Sequence, residues 1–375
     1  MSQAPSAMSQ PAITALYCSD VGEVYSNERL RSIYRKKVYP HVGHETAELY
    51  EKLLSKTPGR TRRFTVPLER VIEKGDARSR FARFRKSAEM LLADTGKGAL
   101  GEAGLEAKDI DILVVNYMAG KTLPSLAAIT SHVLGLRDDV VALTLGDMGC
   151  SAAVAAIDTV CRMMAGERRP QRALVLSLEP VTNLFSTDDD PGTVVGNTLF
   201  GEGCAGVVVS THREPALYRI GPRQRVLVAD EAGIGSITLE AGEQAPRISL
   251  NRAIPEVAGG AVQANLQRLV PRLLGAKEKL KYLVTKKTPR WQGGIHRWAL
   301  HPGGVAVLRG LEKSLRLSPA DLGPSYRVFH ERSNMSSPSV IYALENVERS
   351  APRPGERLLM MSFGSGFQVN SMVLT

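Results

Sequence analysis

Three residues in this 375-residue chain combine the types and settings that covalent acyl chemistry needs. Cys150, His301 and Asn334 each follow an apolar, strand-like run and stand at a tight turn of small residues. Because a buried strand is rigid, a side chain at its end is held in a fixed position. A cysteine can attack an acyl group, and a neighbouring histidine can take its proton. The three positions therefore predict a site that forms an acyl thioester on Cys150.

The sequence around each residue predicts how it is activated. Cys150 precedes an alanine-rich helix expected over residues 151–165, whose N-terminal dipole favours a thiolate. We expect His301 to complete a thiolate–imidazolium pair, and backbone N–H groups of the turn at residues 146–149 to form an oxyanion hole. The Asn334 amide cannot titrate, but it can donate a hydrogen bond to an enolate oxygen.

The elements that must position these residues follow from the apolar pattern. Strands and helices alternate along most of the chain, which predicts an α/β core with both sheet faces covered. Residues 326–329, just before Asn334, are also interpreted as a strand-like run. The predicted strands are residues 110–116, 140–145, 174–178 and 298–300, and the predicted helices are residues 80–104, 125–134, 151–165, 305–315 and a segment ending near residue 347.

A short internal echo predicts that the chain is built from two similar halves. Residues 200–203 and residues 363–366 both read Phe-Gly-x-Gly, and each precedes an apolar strand. Each also lies downstream of a helix of small residues, one following Cys150 and the other following Asn334. We therefore predict an N-terminal half over residues 1–215 that carries the cysteine. A C-terminal half over residues 216–375 carries the histidine and asparagine, with the site at their junction.

Charge and composition limit the partners of the chain. Lys and Arg number 48 against 38 Asp and Glu, so the net charge is +10, and much of the excess lies in residues 29–86. Aromatic residues make up only 5%, which argues against a surface that stacks nucleic-acid bases. The basic surface fits a phosphorylated ligand such as coenzyme A or a carrier-protein arm, and it equally fits a solvated face.

The cysteines and the N-terminus indicate a cytoplasmic protein without a metal site. The four cysteines form no CxxC pair, which argues against zinc and disulfide frameworks. Residues 1–11 are polar and lack the apolar core of a signal peptide. No stretch approaches about 18 uninterrupted apolar residues, so we expect no membrane span.

Four separated motifs resemble type III polyketide synthases of the chalcone synthase group. Two further stretches are similar to plant 3-ketoacyl-CoA synthases, which share the fold and the three residues. The resemblance implies an α/β thiolase-like fold, with two duplicated halves arranged in five α-β-α-β-α layers. The four motifs are residues 149–150, 199–203, 301–312 and 333–337, and the two stretches are residues 109–116 with 146–152, and residues 363–371.

The resemblance also implies a reaction, a decarboxylative Claisen condensation. Cys150 would be loaded with an acyl group, and His301 with Asn334 would assist decarboxylation of a malonyl unit, whose carbanion attacks the acyl-enzyme. The implied substrates are acyl-CoA, malonyl-CoA or acyl-carrier-protein thioesters. The implied assembly is a homodimer without resident cofactor, metal or nucleic acid. The product would be a β-keto compound, or a pyrone or resorcinol formed from it.

Further roles come from aligning single residues with the family. Phe200 would be a gatekeeper, and Leu123 would reach across the dimer into the partner's cavity. Leu184 and Ile248 replace more polar or aromatic family residues, which favours an aliphatic or polyketide chain over an aromatic starter. The remaining implied cavity residues are Phe363, Gly364 and Gly366, and the implied coenzyme A or pantetheine contacts are Arg62, Arg63, Gly303 and Gly304.

Three other interpretations stay open at this point. The order Cys, His, Asn also occurs in papain-like hydrolases, but Asp147 and Ser151 stand where that family has glutamine and an aromatic residue. A stand-alone ketosynthase could instead take acyl groups from carrier proteins and join two polyketide chains. A non-catalytic partner subunit or basic binding protein is the alternative of another class, although retention of all three residues argues against it.

Overall fold

The computed structural model describes residues 9–73, 77–240, 246–274 and 294–375, together with residues 279 and 284. Its strands, in chain order, are β1 (Ala12–Cys18), β2 (Glu23–Ser26), β3 (Thr61–Phe64), β4 (Ile112–Asn116), β5 (Val141–Leu145), β6 (Arg172–Glu179), β7 (Gly203–Ser210), β8 (Tyr218–Leu227), β9 (Ile237–Glu240), β10 (Arg247–Leu250), β11 (Arg297–Leu300), β12 (Leu358–Gly364) and β13 (Gln368–Leu374).

The helices alternate with these strands along most of the chain, as the apolar pattern predicted. They are α1 (Asn27–Lys37), α2 (His44–Lys56), α3 (Leu68–Ile72), α4 (Ala77–Ala103), α5 (Leu126–Leu134), α6 (Ala152–Met164), α7 (Pro191–Leu199), α8 (Glu231–Ile234), α9 (Ile254–Leu269), α10 (Val305–Leu315), α11 (Gly323–Arg332) and α12 (Ser339–Glu348). One-turn 3₁₀ segments occupy residues 39–41, 107–109, 149–151, 181–184 and 270–272.

Nine strands form one sheet, in the order β11-β12-β13-β8-β1-β7-β6-β4-β5. In the first half, β6 runs parallel to β4 and antiparallel to β7, which pairs with β1. In the second half, β12 runs parallel to β11 and antiparallel to β13, which pairs with β8. The two halves therefore repeat one strand pattern, joined where β1 pairs with β8. The exact division at residues 215 and 216 stays a prediction.

The helices and the two halves of the sheet form five layers. Helices α4 and α5 cover the outer face of the first half, and α9 and α10 lie on the outer side of the second half. Helices α6 and α12 contact strands of both halves, so they form the central layer. Strands β4 and β7 are buried at every position because helices cover both of their faces, which explains their continuous apolar sequence. The predicted α-β-α-β-α architecture is confirmed.

A small two-stranded antiparallel sheet of β2 and β3 was not predicted from the sequence. Residues 12–70 were expected to form one strand followed by helices, but β2 precedes α1, β3 follows α2, and the two strands pair. Each strand has only four residues, and β3 reads Thr-Arg-Arg-Phe, which lacks the apolar density of a core strand. This small sheet packs with α1, α2 and α7 around a separate apolar cluster.

The predicted strand before Asn334 is wrong, because residues 326–329 belong to helix α11. Pro324 lies in the first turn of that helix, where its fixed φ is compatible with a helix start. Ser325, Val328 and Phe329 are the buried residues of α11, and their spacing of three and four places them on one helical face. A segment as short as Tyr-Arg-Val-Phe does not by itself distinguish a strand from such a helical face.

Within the described ranges, no helix is long and apolar enough to cross a membrane. The polar N-terminal segment that sequence analysis considered lies mostly outside these ranges, since the described chain begins at residue 9.

Candidate active site

Cys150 lies where the chain turns from strand β5 into helix α6. The turn needs two left-handed backbone positions, Asp147 with φ of 62° and Gly149 with φ of 52°. Residues 149–151 then form a 3₁₀ turn that leads directly into α6. This strand–turn–helix arrangement is the one predicted from the sequence. It directs Cys150 to a cavity of about 310 Å³ between the two halves.

His301 follows strand β11 and lines the same cavity. Its backbone N–H donates to the carbonyl of Met361 at 2.9 Å, which extends the pairing of β11 with β12 to the histidine itself. The imidazole meets the ring of Phe363 edge-on, with 5.4 Å between ring centroids. Neither ring nitrogen has a hydrogen-bond partner among the described residues. A buried imidazole without partners is available to bind a ligand group in the cavity.

Asn334 sits on a turn whose backbone is anchored to the other half of the chain. Its N–H donates to the carbonyl of Leu199 at 3.2 Å, and its carbonyl accepts from the N–H of Gly201 at 3.0 Å. The preceding Ser333 has φ of 60° and ψ of −156°, a region that favours glycine. The Ser333 hydroxyl donates to the same Leu199 carbonyl at 2.7 Å. The turn is therefore strained and is held in place by residues 199–201.

The Asn334 amide is oriented by two hydrogen bonds. Its Nδ2 donates to the carbonyl of Gly303 at 3.1 Å, and its Oδ1 accepts from the N–H of Ser336 at 2.7 Å. Since Nδ2 carries two protons, one remains for a second acceptor. The oxygen and nitrogen positions are thus fixed before any ligand binds.

The structure brings Cys150, His301 and Asn334 to one cavity, although they are far apart in sequence. Several other residues singled out in the sequence border the same space. They are Phe200, Ile248, Gly303, Gly304 and Phe363.

Burial sets the charge state of the cysteine and the histidine. Loss of solvent raises the pKa of the Cys150 thiol to about 12, an effect that the nearby Glu179 charge reinforces and that the neighbouring Ser336 hydroxyl and Asn334 amide partly offset. Burial also lowers the pKa of His301 to about 3. The structure therefore holds a neutral thiol and a neutral imidazole. Burial of both groups therefore opposes the predicted resting thiolate–imidazolium pair, which stays a prediction.

Glu179 is a buried acid beside this site that sequence analysis did not identify. It ends strand β6, and its Oε1 accepts from the N–H groups of Ala119 at 2.9 Å and Met118 at 3.3 Å. Burial raises the pKa of this carboxyl to about 7. The Ser336 hydroxyl lies near both Glu179 and Cys150, and it lowers the pKa of each without meeting the geometry of a full hydrogen bond. The signal in the sequence that could have identified Glu179 is its place as an acidic residue at the end of a buried apolar strand.

Four of the implied cavity residues do not border this cavity: Leu123, Leu184, Gly364 and Gly366. Gly366 lies in the turn between β12 and β13, where its φ is 100°. Leu184 borders a smaller neighbouring cavity together with Phe200 and Ile248. Leu123 is 93% exposed on the surface of this single chain. Gly364 lies behind the cysteine turn, where an added Cβ would come within 2.6 Å of the Ser151 nitrogen.

Arg62 is not placed to contact coenzyme A phosphates. It has no exposed surface, and burial lowers the pKa of its guanidinium to about 10. The guanidinium donates to the Thr198 carbonyl and, at 2.9 Å, to Oδ1 of Asn27. Arg63 donates instead to the carbonyls of Asp20 and Gly22. The burial of Arg62 argues against its predicted contact and gives it a structural role at the end of α7.

Two family models match the chain. The model described as FAE1/Type III polyketide synthase-like protein matches residues 23–289, and the model of the C-terminal domain of chalcone and stilbene synthases matches residues 237–375. Among curated proteins, the chain is 32% identical over 307 residues to 3-ketoacyl-CoA synthase 8 of Arabidopsis thaliana. That alignment covers 77% of this chain and 64% of the plant protein, so the chain spans somewhat less than two thirds of its relative.

Solved structures share the fold at lower sequence identity. The structure of CsyB complexed with CoA-SH has a TM-score of 0.84 and 19% identity, covering 97% of this chain and 99% of that one. The 1,3,6,8-tetrahydroxynaphthalene synthase of Streptomyces coelicolor A3(2), a bacterial type III polyketide synthase, has a TM-score of 0.82 and 21% identity, with 98% of each chain covered. These similarities agree with the predicted thiolase-like fold.

Proposed function

The chain belongs to the FAE1/type III polyketide synthase-like family, and from that premise we propose that it is a decarboxylative condensing enzyme. It joins an acyl thioester to a malonyl unit and yields a β-keto product. The observation that carries this proposal is the convergence of Cys150, His301 and Asn334 on one cavity of about 310 Å³.

In the first step, the Cys150 sulfur attacks the thioester carbonyl of the acyl donor. Because burial keeps the thiol protonated, the proton must leave as the C–S bond forms, and His301 is the buried base that lines the same cavity. The tetrahedral intermediate collapses with cleavage of the bond to the coenzyme A sulfur. That thiolate leaves as the free thiol after taking the proton from His301, and the acyl group remains on Cys150.

In the second step, a malonyl thioester binds and loses CO₂, and the electron pair of the broken C–C bond enters an enolate. The second Nδ2 proton of Asn334, which lies near the Cys150 sulfur before substrate binds, and the unpartnered imidazole of His301 can both donate to the enolate oxygen. Each well-placed donor is worth about 3–4 kcal/mol of transition-state stabilisation. The enolate carbon then attacks the acyl thioester, and the bond to the Cys150 sulfur breaks. The Cys150 thiolate takes up one proton from solvent, which replaces the proton that left with coenzyme A in the first step.

Coenzyme A thioesters are the proposed substrates. The curated relatives are named as 3-ketoacyl-CoA synthases, and one structural neighbour holds CoA-SH. The proposed contacts at the cavity are Gly303 and Gly304, and the exposed Arg252 at its edge replaces Arg62 as the basic residue. The comparisons do not support the carrier-protein alternative or a non-catalytic role. We place the enzyme in the cytoplasm, where such thioesters are available.

The acyl chain is proposed to be aliphatic or polyketide in character. Ile248 and Phe200 border the cavity, and Leu184 lies just beyond them, so its walls are mainly apolar. Phe200 keeps its proposed role as gatekeeper.

We propose that the chain forms a homodimer, because the strand at one edge of the sheet is exposed and apolar. Strand β5 is the last strand of the first half, and it exposes Val141 and Leu143 although its partner strand β4 is fully buried. An apolar edge strand favours pairing with another chain. The exposed Leu123 follows β4 in the loop that leads to α5. Sedimentation of wild type and Val141→Lys tests this assembly, and a wild-type monomer would overturn it.

Intact-protein mass spectrometry tests the proposed reaction. Wild type and Cys150→Ala are mixed with acyl-CoA and acyl-carrier-protein panels, each with and without malonyl-CoA. We expect a mass gain of one acyl group from acyl-CoA, absent in Cys150→Ala, and its loss as product when malonyl-CoA is added. Cys161→Ala is the matched control, since Cys161 is buried in the core and should leave labelling unchanged. Labelling that persists in Cys150→Ala, or no labelling by any thioester, would overturn the proposal.

A further inference from the structure

A chain of hydrogen bonds between three polar side chains links the two halves of the molecule. Asn116 is the last residue of β4, and it lies beside Ser177 in the parallel register of β4 and β6. The Ser177 hydroxyl donates to Oδ1 of Asn116 at 2.7 Å, and Nδ2 of Asn116 donates to the Ser337 hydroxyl oxygen at 2.7 Å. All three residues are fully buried. The reaction described above gives none of them a role.

Asn116 is a polar residue in an otherwise apolar strand. Residues 112–115 of β4 are all apolar, and every residue of the strand is buried. Asparagine is depleted in strands. Burial of its amide costs free energy unless hydrogen bonds compensate for the lost water. The two hydrogen bonds of the amide are therefore what Asn116 supplies that an apolar residue would not.

Ser337 connects Asn116 to the turn that carries Asn334. Ser337 lies three residues after Asn334 and directly after Ser336. The Ser336 N–H donates to Oδ1 of Asn334 at 2.7 Å, and both residues border the main cavity. A displacement of Ser337 is therefore transmitted through a short backbone segment to the Asn334 amide and the Ser336 hydroxyl.

The N-terminal half holds this turn at two points. Leu199 and Gly201 bond to the backbone of Asn334, as described above, and Asn116 bonds to the side chain of Ser337. The first contact comes from a loop, whereas the second comes from a buried strand of the central sheet. A side chain on a buried strand is held in a fixed position. Asn116 is thus the more rigid of the two supports.

We propose that Asn116 is a positioning residue for the condensation step, because its hydrogen bond to Ser337 sets where the Asn334 amide and the Ser336 hydroxyl lie relative to the Cys150 sulfur. Asn116 does not border the cavity and acts through the turn. Ser177 occupies the amide oxygen of Asn116, which leaves Nδ2 directed at Ser337. This inference rests on the proposed function and adds a residue of β4 to the groups that control it.

The first measurement compares acyl loading with condensation by single-turnover mass spectrometry. Asn116→Leu keeps the branched shape of the side chain but removes both hydrogen bonds. We expect loading of Cys150 to stay within about threefold of wild type. Condensation with malonyl-CoA should fall by roughly 30-fold, since a displacement of about 1 Å can cost about 10²-fold in rate.

A conservative variant should rescue condensation. Burial keeps the carboxyl group of Asn116→Asp protonated. Its O–H can then donate to Ser337 while its other oxygen accepts from Ser177. We expect condensation by this variant within about fivefold of wild type.

The second measurement needs no substrate. Burial raises the pKa of the Cys150 thiol, and the Ser336 hydroxyl and Asn334 amide partly offset this rise. If Asn116→Leu displaces both groups, the thiol should ionise less readily, and iodoacetamide should label it about threefold more slowly at about pH 8 to 10. Peptide mapping by mass spectrometry distinguishes Cys150 from the other three cysteines.

The other ionisable groups around Cys150 are held by different elements. Glu179 ends β6, His301 follows β11, and Arg252 lies at the edge of the cavity after β10. None of these three side chains belongs to the turn that Asn116 supports. A slower labelling in Asn116→Leu therefore reports on Ser336 and Asn334.

Asn265→Leu is the matched control. Asn265 is also a fully buried asparagine, and its Nδ2 donates to the carbonyls of Gln224 and Val369, both at 3.2 Å. It lies in α9 and does not border the cavity. Urea unfolding should show that both leucine variants are destabilised. Only Asn116→Leu should slow the labelling of Cys150 and lower condensation relative to loading.

A further variant tests whether the effect passes through Ser337. Ser337→Ala removes the acceptor of the Asn116 amide and should lower condensation to a similar extent. The double variant, Asn116→Leu with Ser337→Ala, should be no slower than the slower single variant, because both changes break the same hydrogen bond.

The outcomes separate this inference from the proposed function. Equal losses of loading and condensation in Asn116→Leu, or unchanged labelling of its Cys150, would show that Asn116 only supports the fold. Additive losses in the double variant, or an Asn116→Asp variant as slow as Asn116→Leu, would also overturn the inference and leave the condensing enzyme standing. Absence of loading from every thioester would overturn the proposed function alone, because the labelling rates test the positioning without a substrate.

Discussion

The two Phe-Gly-x-Gly segments, residues 200–203 and 363–366, lead into the equivalent strands β7 and β13 but support opposite halves of the site. The first lies in the N-terminal half, and its neighbours Leu199 and Gly201 hydrogen-bond to Asn334 of the C-terminal half. The second lies in the C-terminal half, and Gly364 packs against the backbone of the Cys150 turn. Each half thus holds the reactive residue of the other half in position.

The two supports differ in kind. Asn334 is held by paired backbone hydrogen bonds, in a parallel bridge between Phe200 and Asn334. The Cys150 turn is held by close packing, since an added Cβ at Gly364 would lie 2.8 Å from the Cys150 nitrogen and 2.9 Å from the Met148 carbonyl oxygen. Hydrogen bonds tolerate small shifts, whereas contact between backbones does not. We call the Cys150 turn the cysteine side of the site and the Asn334 turn the asparagine side. We therefore expect the two sides to respond differently to small displacements of the backbone.

We expect the largest effect from a variant that impairs condensation but not acyl loading. Asn334→Ala removes a donor from the proposed enolate but leaves the Cys150 turn unchanged. We expect acyl loading to stay within a few-fold of wild type, while condensation with malonyl-CoA falls by about 10²–10³-fold. Single-turnover mass spectrometry follows both steps in one sample. Equal loss of loading and condensation would show that the two sides do not act separately.

The next test perturbs the backbone support of the Cys150 turn and that of the Asn334 turn in separate variants. Gly364→Ala forces the Cys150 turn to move, and a displacement of about 1 Å can cost about 10²-fold in rate, so acyl loading should fall by that order. Gly201→Ala, whose Cβ would lie 2.8 Å from the Arg332 carbonyl oxygen, should impair condensation more than loading. Gly101→Ala is the control, because no described atom lies within 4 Å of its added Cβ. If both active-site variants reduced the same step, the crossed support described above would be wrong.

The third prediction is that Glu179, the buried acid near Cys150, makes the stability of the protein depend on pH. The pKa of Glu179 is raised from its ordinary value of 4.5 to about 7, so the folded state binds the proton more tightly than the unfolded state. Stability should therefore fall as the pH rises from about 4.5 to 7, by on the order of 3 kcal/mol. Glu179→Gln should lack this fall. Urea unfolding at several pH values measures it, and parallel curves for the two proteins would contradict the burial of an ionising Glu179.

The smallest effect concerns the strained turn on the asparagine side. Ser333→Ala loses the hydrogen bond to Leu199 and keeps the unfavourable positive φ, whereas Ser333→Gly loses the same bond but relieves the strain. The glycine variant should therefore be the more stable of the two by about 1–2 kcal/mol. Thermal or urea unfolding compares them directly. An alanine variant as stable as the glycine variant would indicate that the turn is not strained.

The sequence predicted the cysteine side of the site better than the asparagine side. Strand β5, its glycine turn and helix α6 follow one another without interruption, so the local pattern was sufficient to place Cys150. Asn334 follows helix α11, and its position depends on hydrogen bonds to residues 199–201, more than 130 residues earlier in the chain. Such long-range pairing leaves no local pattern, and the apolar run was misread as a strand.

The resemblance located the cavity but not the surroundings of single residues. Phe200, Ile248 and Phe363 border the cavity as expected, whereas Arg62 is buried within the protein. The reach of Leu123 across a dimer stays a prediction, with which its exposure on the single chain agrees. Whether an arginine faces solvent or the interior depends on which elements pack over its strand. In the case of Arg62, these are the end of α7 and the start of α1.

The sequence by itself determined the α/β class, the duplication and the three residues of the candidate site, because strand and helix periodicity and short motifs are local properties of the chain. The five layers were implied only by the resemblance to a known family. Only the tertiary structure decided the burial of Cys150 and His301, the position of Glu179 near Cys150 and the small cavity next to Phe200. Burial, pKa and cavity shape depend on distances between residues far apart in sequence, and those distances exist only after the chain has folded.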